Sequence, residues 1–143
     1  MPVSYDQDVV AWATEQARLI RTRQFDKLDI EHIADEIEDV GKSEQRELAS
    51  RMAVLITHLL KWLYQPEVRS ASRAGSIREQ RKRIAHAVKK TPSLRTSLTD
   101  PEWLGDAWSD GLARALEETG LDSLPETPVW TASQMLMEGW FPA

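Results

Sequence analysis

The 143-residue sequence predicts an all-α fold: a single-domain helical bundle built on a long central helix, with a proline-interrupted C-terminal arm. Three observations carry this. Apolar residues recur at spacings of three and four through most of the chain, the period of one helical face. Residues that start and stop helices fall where that period begins and ends. No stretch alternates in the two-residue rhythm of a half-buried strand, and there is no internal repeat.

Ser4 followed by Gln7 is a capping-box signature, because a hydroxyl at the cap and an amide three residues on can satisfy two free backbone N–H groups. It predicts a helix from Tyr5 to Thr22 with Val9, Trp12, Ala13, Ala17 and Ile20 inward. Phe25 and Leu28 anchor a short link, and Asp29 caps the next helix. From there Ile30, Ile33, Ile37, Val40, Glu44, Leu48, Met52, Leu55, Leu59 and Trp62 follow one register. That register does not reset at Gly41, which predicts a single helix over residues 30–64, since a break usually shifts phase. Pro66 ends it by disfavouring helical geometry at Gln65.

Ser70, Ser72 and Ser76 each offer a cap for a third helix that runs to Lys90, with Ile77, Ile84, Ala85 and Val88 inward and Arg81 in the same stripe. Thr91-Pro92-Ser93 is a turn, followed by a short helical piece over 94–98. Asp100-Pro101-Glu102 combines a cap, a proline at the first helical position and an acid in the first turn. The helix it opens carries Leu104, Ala107, Trp108, Gly111, Leu112, Ala115 and Leu116 inward and ends at Gly120. Pro125 and Pro128 interrupt the arm, residues 121–143, and Thr131 with Gln134 opens a last short helix. Trp130, Met135, Leu136, Trp140 and Phe141 are apolar enough to dock the arm on the bundle. Residues 1–143 are expected to form one helical domain, as the length allows.

The net charge of −5 hides a segregation. Residues 1–47 carry twelve acids and six bases, residues 48–100 three acids and eleven bases, and residues 101–143 eight acids and one base. Such blocks imply either acidic and basic helices side by side or a basic stripe for phosphate backbones. The basic stretch 69–90 lacks aromatics for base stacking, which disfavours single-strand recognition. There is no cysteine, hence no thiolate nucleophile and no cysteine-based zinc site. The first ten residues lack the pattern of a signal peptide. The longest apolar run, residues 52–63, is too short and too polar to cross a bilayer. The expected location is cytoplasmic, with no membrane partner.

The candidate site residues come from the run 36–66. It sets Glu44, Arg51, His58 and Lys61 on or beside its apolar face, where an unpaired charge costs several kcal/mol. With Arg78 and Arg81 from the third helix they form an expected polar core cluster, in which Glu44 and Arg81 pair and His58 joins them. The functional alternative is a polar pocket with shifted pKa values. No catalytic residue stands out; Arg51 and His58, seven residues apart, are weak candidates for an RNase resembling helical toxin nucleases, with His as general acid or base and Arg on the phosphorane charge. Asp29, His32 and Glu36 share one helical face and offer a place for a divalent ion, but acids near a helix start are explained by capping and the dipole. The Glu-x-x-His pair of helical di-iron bundles and a nucleophile elbow are absent. No metal and no cofactor are expected.

Taken in order, Tyr5-Asp6 with Trp12, Arg23 through Asp29, EIEDVGKSE at 36–44, SRMAVLITHLLKW at 50–62 with Gln65-Pro66, SIREQRKRI at 76–84, TPSL at 91–94, EETGL at 117–121, Leu124-Pro125 and the closing Trp140-Phe141-Pro142 resemble an uncharacterised bacterial family, domain of unknown function number twenty-nine. Arg73 departs from it, standing where the family has tryptophan. The resemblance implies a compact helical protein and carries no catalytic residue across. The expected function is a non-enzymatic binding or regulatory module acting on a protein partner or as a homodimer. The alternative is a nucleic-acid-acting protein, either a phosphate-backbone binder or an RNase using Arg51 and His58.

Overall fold

A computed structural model describes residues 3–143. The fold is all-α, a helical bundle built on one long helix: α1 (Val9–Arg21), α2 (Ile30–Tyr64), α3 (Ala71–Lys90), α4 (Arg95–Leu98), α5 (Pro101–Thr119) and α6 (Ala132–Leu136), with single 3-10 turns at Phe25–Lys27, Pro66–Val68 and Pro92–Leu94. α2 is continuous through Gly41, as its unbroken register predicts. The contacts group into two compact units, Met1–Ser43 and Glu44–Ala143.

In the first unit α1 starts later than the Ser4–Gln7 signature predicts. Gln7 and Asp8 both donate backbone N–H to the Ser4 carbonyl, so residues 4–7 form a turn, and Asp8 caps the helix by accepting from the Ala11 N–H at 3.1 Å. The inward row is Trp12, Gln16 and Leu19. Val9, Ala13 and Ile20, expected inside, are exposed. Gln24 donates to the Leu19 carbonyl and Arg23 to that of Ile20, a Schellman closure that requires a left-handed residue. Arg23 supplies it at φ 60°, where glycine is usual.

The second unit holds the large core. Leu48, Met52, Leu55, Ile56, Leu59 and Leu60 of α2 pack with Ile77 and Ile84 of α3, Ala107, Trp108 and Ala115 of α5, and Leu94, Leu124, Ala132 and Met135. Each fully buried Leu, Ile or Met contributes about 1.5–3 kcal/mol. α5 approaches α2 unusually closely: a Cβ on Gly111 would lie 2.7 Å from the Ala53 carbonyl oxygen and 2.8 Å from Ile56 Cγ2. Thr57, buried at the same crossing, has its hydroxyl 2.9 Å from both the Ala53 and Gly111 carbonyl oxygens. Ser70 caps α3 by accepting from the Arg73 N–H; Ser76, the alternative start, instead donates to the Ser72 carbonyl inside the helix. Asp100 caps α5, and Gly120 closes it at φ 68°. The Thr131–Gln134 capping box of α6 is complete, with 3.0 Å bonds in both directions.

The C-terminal arm docks by aromatic contacts. Trp108 donates its indole N–H to the Pro125 carbonyl at 2.9 Å and meets Trp130 edge-on at 5.5 Å. Trp130 in turn meets Trp140 at 5.6 Å, and Trp62 lies 4.7 Å from Phe141.

Candidate functional site

The residues expected to form one polar cluster are distributed over three places. Glu44 is exposed and Arg51 half-buried; both line a groove of about 440 Å³ with Glu47, Glu79, Lys82, Arg83, His86 and Lys90, over a floor of Leu48, Ala87 and Leu94. Two ion pairs cross neither wall: Arg51 bonds Glu47 at 3.1 Å and Arg83 bonds Glu79 at 2.9 Å, each four residues apart on one helix. The groove carries four Lys or Arg and three Glu, so it presents no field of a single sign.

His58 and Lys61 lie together on α2. Lys61 is bound to Glu118 of α5 at 2.7 Å. His58 is half-buried, and its Nδ1 is buried without a hydrogen-bond partner among the described residues. Burial first, then the Lys61 and Arg73 charges, hold its pKa below the ordinary histidine value, so the ring is neutral around pH 7. Arg51 and His58 have different neighbours: Arg51 faces the groove, while His58 feels Lys61, Arg73, Glu118 and Arg114.

Arg78 and Arg81 line a third place, a cleft of about 240 Å³ between α3 and the arm, with Lys82, Leu136 and Glu138. Arg81 is 7% exposed and among the described residues pairs with neither Glu44 nor any other carboxylate. Its Nε donates to the Met135 carbonyl at 2.7 Å and its Nη2 to the Trp140 carbonyl, while the guanidinium sits 5.6 Å from the Phe141 ring centroid. Sequence spacing placed Arg81 correctly on the inner face of α3. It could not show that the partners are backbone carbonyls fifty-four and fifty-nine residues away, because carbonyls leave no mark in a side-chain pattern.

The first unit contains a constellation that the sequence reading did not assemble. Trp12 donates its indole N–H to Asp29 Oδ2 at 3.0 Å, and His32 Nδ1 lies 2.8 Å from the same oxygen. Tyr5 stacks on His32 at 4.3 Å and meets Trp12 edge-on at 4.9 Å. Its hydroxyl donates to Glu36, and the Gln16 side chain accepts the Asp29 N–H at 2.8 Å. The bond to Glu36 pushes the Tyr5 pKa up to about 12. The His32 bond lowers the Asp29 pKa, and the Asp29 bond raises that of His32. Asp29 and Glu36 therefore hold Trp12, His32 and Tyr5. Among the described residues no group of three metal-ligating side chains is placed to hold an ion.

Among the described residues, all ion pairs but Lys61–Glu118 join residues three or four apart in sequence. No helix is long and apolar enough to cross a membrane among those residues.

Residues 4–141 match the family described as Domain of unknown function DUF29. No curated protein and no solved structure matches the chain.

Proposed function

The chain belongs to the DUF29 family, and we propose that it acts as a non-enzymatic binding or regulatory module, making its protein contacts through residues 3–43. One observation carries this reading. Of the thirteen large apolar residues that are exposed among the described residues, eight lie there: Val3, Val9, Val10, Ile20, Phe25, Ile30, Ile37 and Val40. The same stretch buries only Trp12 and Leu19 among its apolar side chains. Single exposed apolar residues are ordinary, but three of these, Ile30, Ile37 and Val40, recur along one face of α2, and such a row suits a surface that another molecule covers.

A photoreactive residue at position 37 tests this. Adducts of discrete protein mass are expected from that position and none from exposed Glu126, in the second unit; equal labelling from both, or none from position 37, sinks the reading.

A second reading, a nucleic-acid-acting protein, rests on α3, whose exposed Arg78, Lys82, Lys89 and Lys90 offer a surface for a phosphate backbone. His58 supports cleavage only through its other ring nitrogen, because its Nδ1 is buried. RNA cleavage lost in His58→Ala, or salt-steep RNA binding, would favour it. Nuclease-free protein that leaves labelled RNA intact and unshifted at low salt would exclude it.

A further inference from the structure

We infer that the apolar row on the first half of α2 takes a basic amphipathic helix of another protein, which deepens the contact reading above and rests on it. Ile30, Ile37 and Val40 are 68%, 67% and 67% exposed. The helical period brings half-buried Ile33 and exposed Ala34 into the same arc. From Ile30 to Val40 the row is about 15 Å long, close to three turns. A Cβ on Gly41 would meet nothing within 4 Å, so the end of the row is open to close approach.

The two borders of this row differ. One is closed within the unit, because Glu36 holds Tyr5 and Asp29 holds Trp12 and His32. The other carries Glu31, Asp35 and Glu38, all exposed. Glu31 and Asp35 make no ion pair among the described residues, and Glu38 has only Lys42 at 4.0 Å. A partner that fills the apolar row therefore meets a line of carboxylates on its open side. A second copy of the same row would bring like charges together, which disfavours that pairing. The chain's own basic helix does not fit either, since the exposed positions of α3 include no large apolar residue. A helix with one apolar face and Lys or Arg beside it satisfies both the row and its border.

Three model helices of roughly 18 residues, about five turns, test the inference by fluorescence anisotropy against the full chain: a Leu/Lys peptide, a Leu/Glu peptide and a Leu/Gln peptide. The Leu/Lys helix is expected to bind, and the other two to bind at least about tenfold more weakly, a difference of one decade in Kd. Ile30→Ser with Ile37→Ser is expected to weaken the Leu/Lys complex about tenfold or more, and Glu31→Gln/Asp35→Asn/Glu38→Gln to weaken it and flatten its salt dependence. All five positions but Ile30 and Ile37 are polar surface sites, and circular dichroism of each variant confirms that the helices persist. Leu/Gln binding as tight as Leu/Lys binding, lost in the isoleucine variant, overturns the basic partner while leaving the contact surface standing. Leu/Lys binding that neither variant changes, or a homodimer that the isoleucine variant dissolves, also overturns it. Absence of both peptide binding and self-association overturns it together with the contact reading.

Discussion

In residues 44–143 the apolar row of α2 is covered at Leu48, Met52, Leu55 and Leu59, each 1% exposed or less; in residues 3–43 the same register continues backwards through Ile37 to Ile30 and stays in solvent. The difference is not in α2, whose spacing is unbroken, but in what each unit sets beside it. The second unit brings α3, α5 and the arm, with a glycine at the closest crossing and a tryptophan at the centre. The first brings one helix of thirteen residues, which buries Trp12, Gln16 and Leu19 and bonds Asp29 through Trp12 and Gln16. A unit this small rarely builds a sufficient core unaided. The first unit is held by hydrogen bonds and aromatic stacking around two carboxylates, Asp29 and Glu36, the second by area removed from water.

That contrast can be broken by perturbing each unit in its own terms. Trp108→Ala should cost the second unit about 3–5 kcal/mol through the cavity it leaves, with the Pro125 carbonyl also losing its donor; hydrogen exchange should report lost protection across α2 from Leu48 onward, α3 and α5. Gly111→Ala should cost about 1–3 kcal/mol, since a Cβ cannot enter without moving α5 away from Ala53 and Ile56. Denaturant melts measure it, and an unchanged midpoint would mean that the crossing is looser than the geometry states.

Arg81→Ala strands the Met135 and Trp140 carbonyls, at about 1–3 kcal/mol for buried acceptors left unpaired. Its signature is local: proteolysis should begin in residues 121–143 while the remaining core stays protected. The first unit should respond to pH instead. His32 has a raised pKa, so its contribution is complete below about pH 6.5 and is lost as pH rises through the folded value; Asp29 has a lowered pKa, so its contribution is complete above about pH 3.9 and is lost as pH falls through the folded value. Protection of residues 3–43 should therefore peak between those limits. Asp29→Asn should remove the maximum and lower the pH at which the His32 resonance titrates. The smallest stability effect belongs to Ile30→Ser with Ile37→Ser, expected within about 0.5 kcal/mol per exposed site, even though this change should weaken partner contact about tenfold or more.

Much of the fold was legible in the sequence because helices advertise themselves locally. Asp100-Pro101, Gly120, Thr131 with Gln134 and the uninterrupted register across Gly41 each act within a few residues, and each appears where expected. The error at Ser4–Gln7 has the same origin. A capping signature four residues from a better cap, Asp8, lost to it because the turn at 4–7 satisfies those backbone groups without a helix.

The candidate sites were less legible, for a different reason. The spacing put Arg81 inside and His58 at the edge of the core, but an ionisable residue on an inner face carries no label for its partner. Glu44 shares the apolar register of α2 but is exposed, so it offers Arg81 no buried partner. The Tyr5, Trp12 and His32 cluster left only indirect traces, through the family resemblance at Tyr5 and Trp12 and the shared face of Asp29, His32 and Glu36.

By itself, then, the sequence determined the helices, their order, most of their ends and the all-α class, since propensity, capping and periodicity are short-range and written in side chains. Only the tertiary structure decided which stretch of one continuous apolar row is core and which is surface. It also decided that Arg81 serves the C-terminal arm rather than Glu44. Burial depends on which elements meet, and that is a property of the packed chain rather than of any one helix.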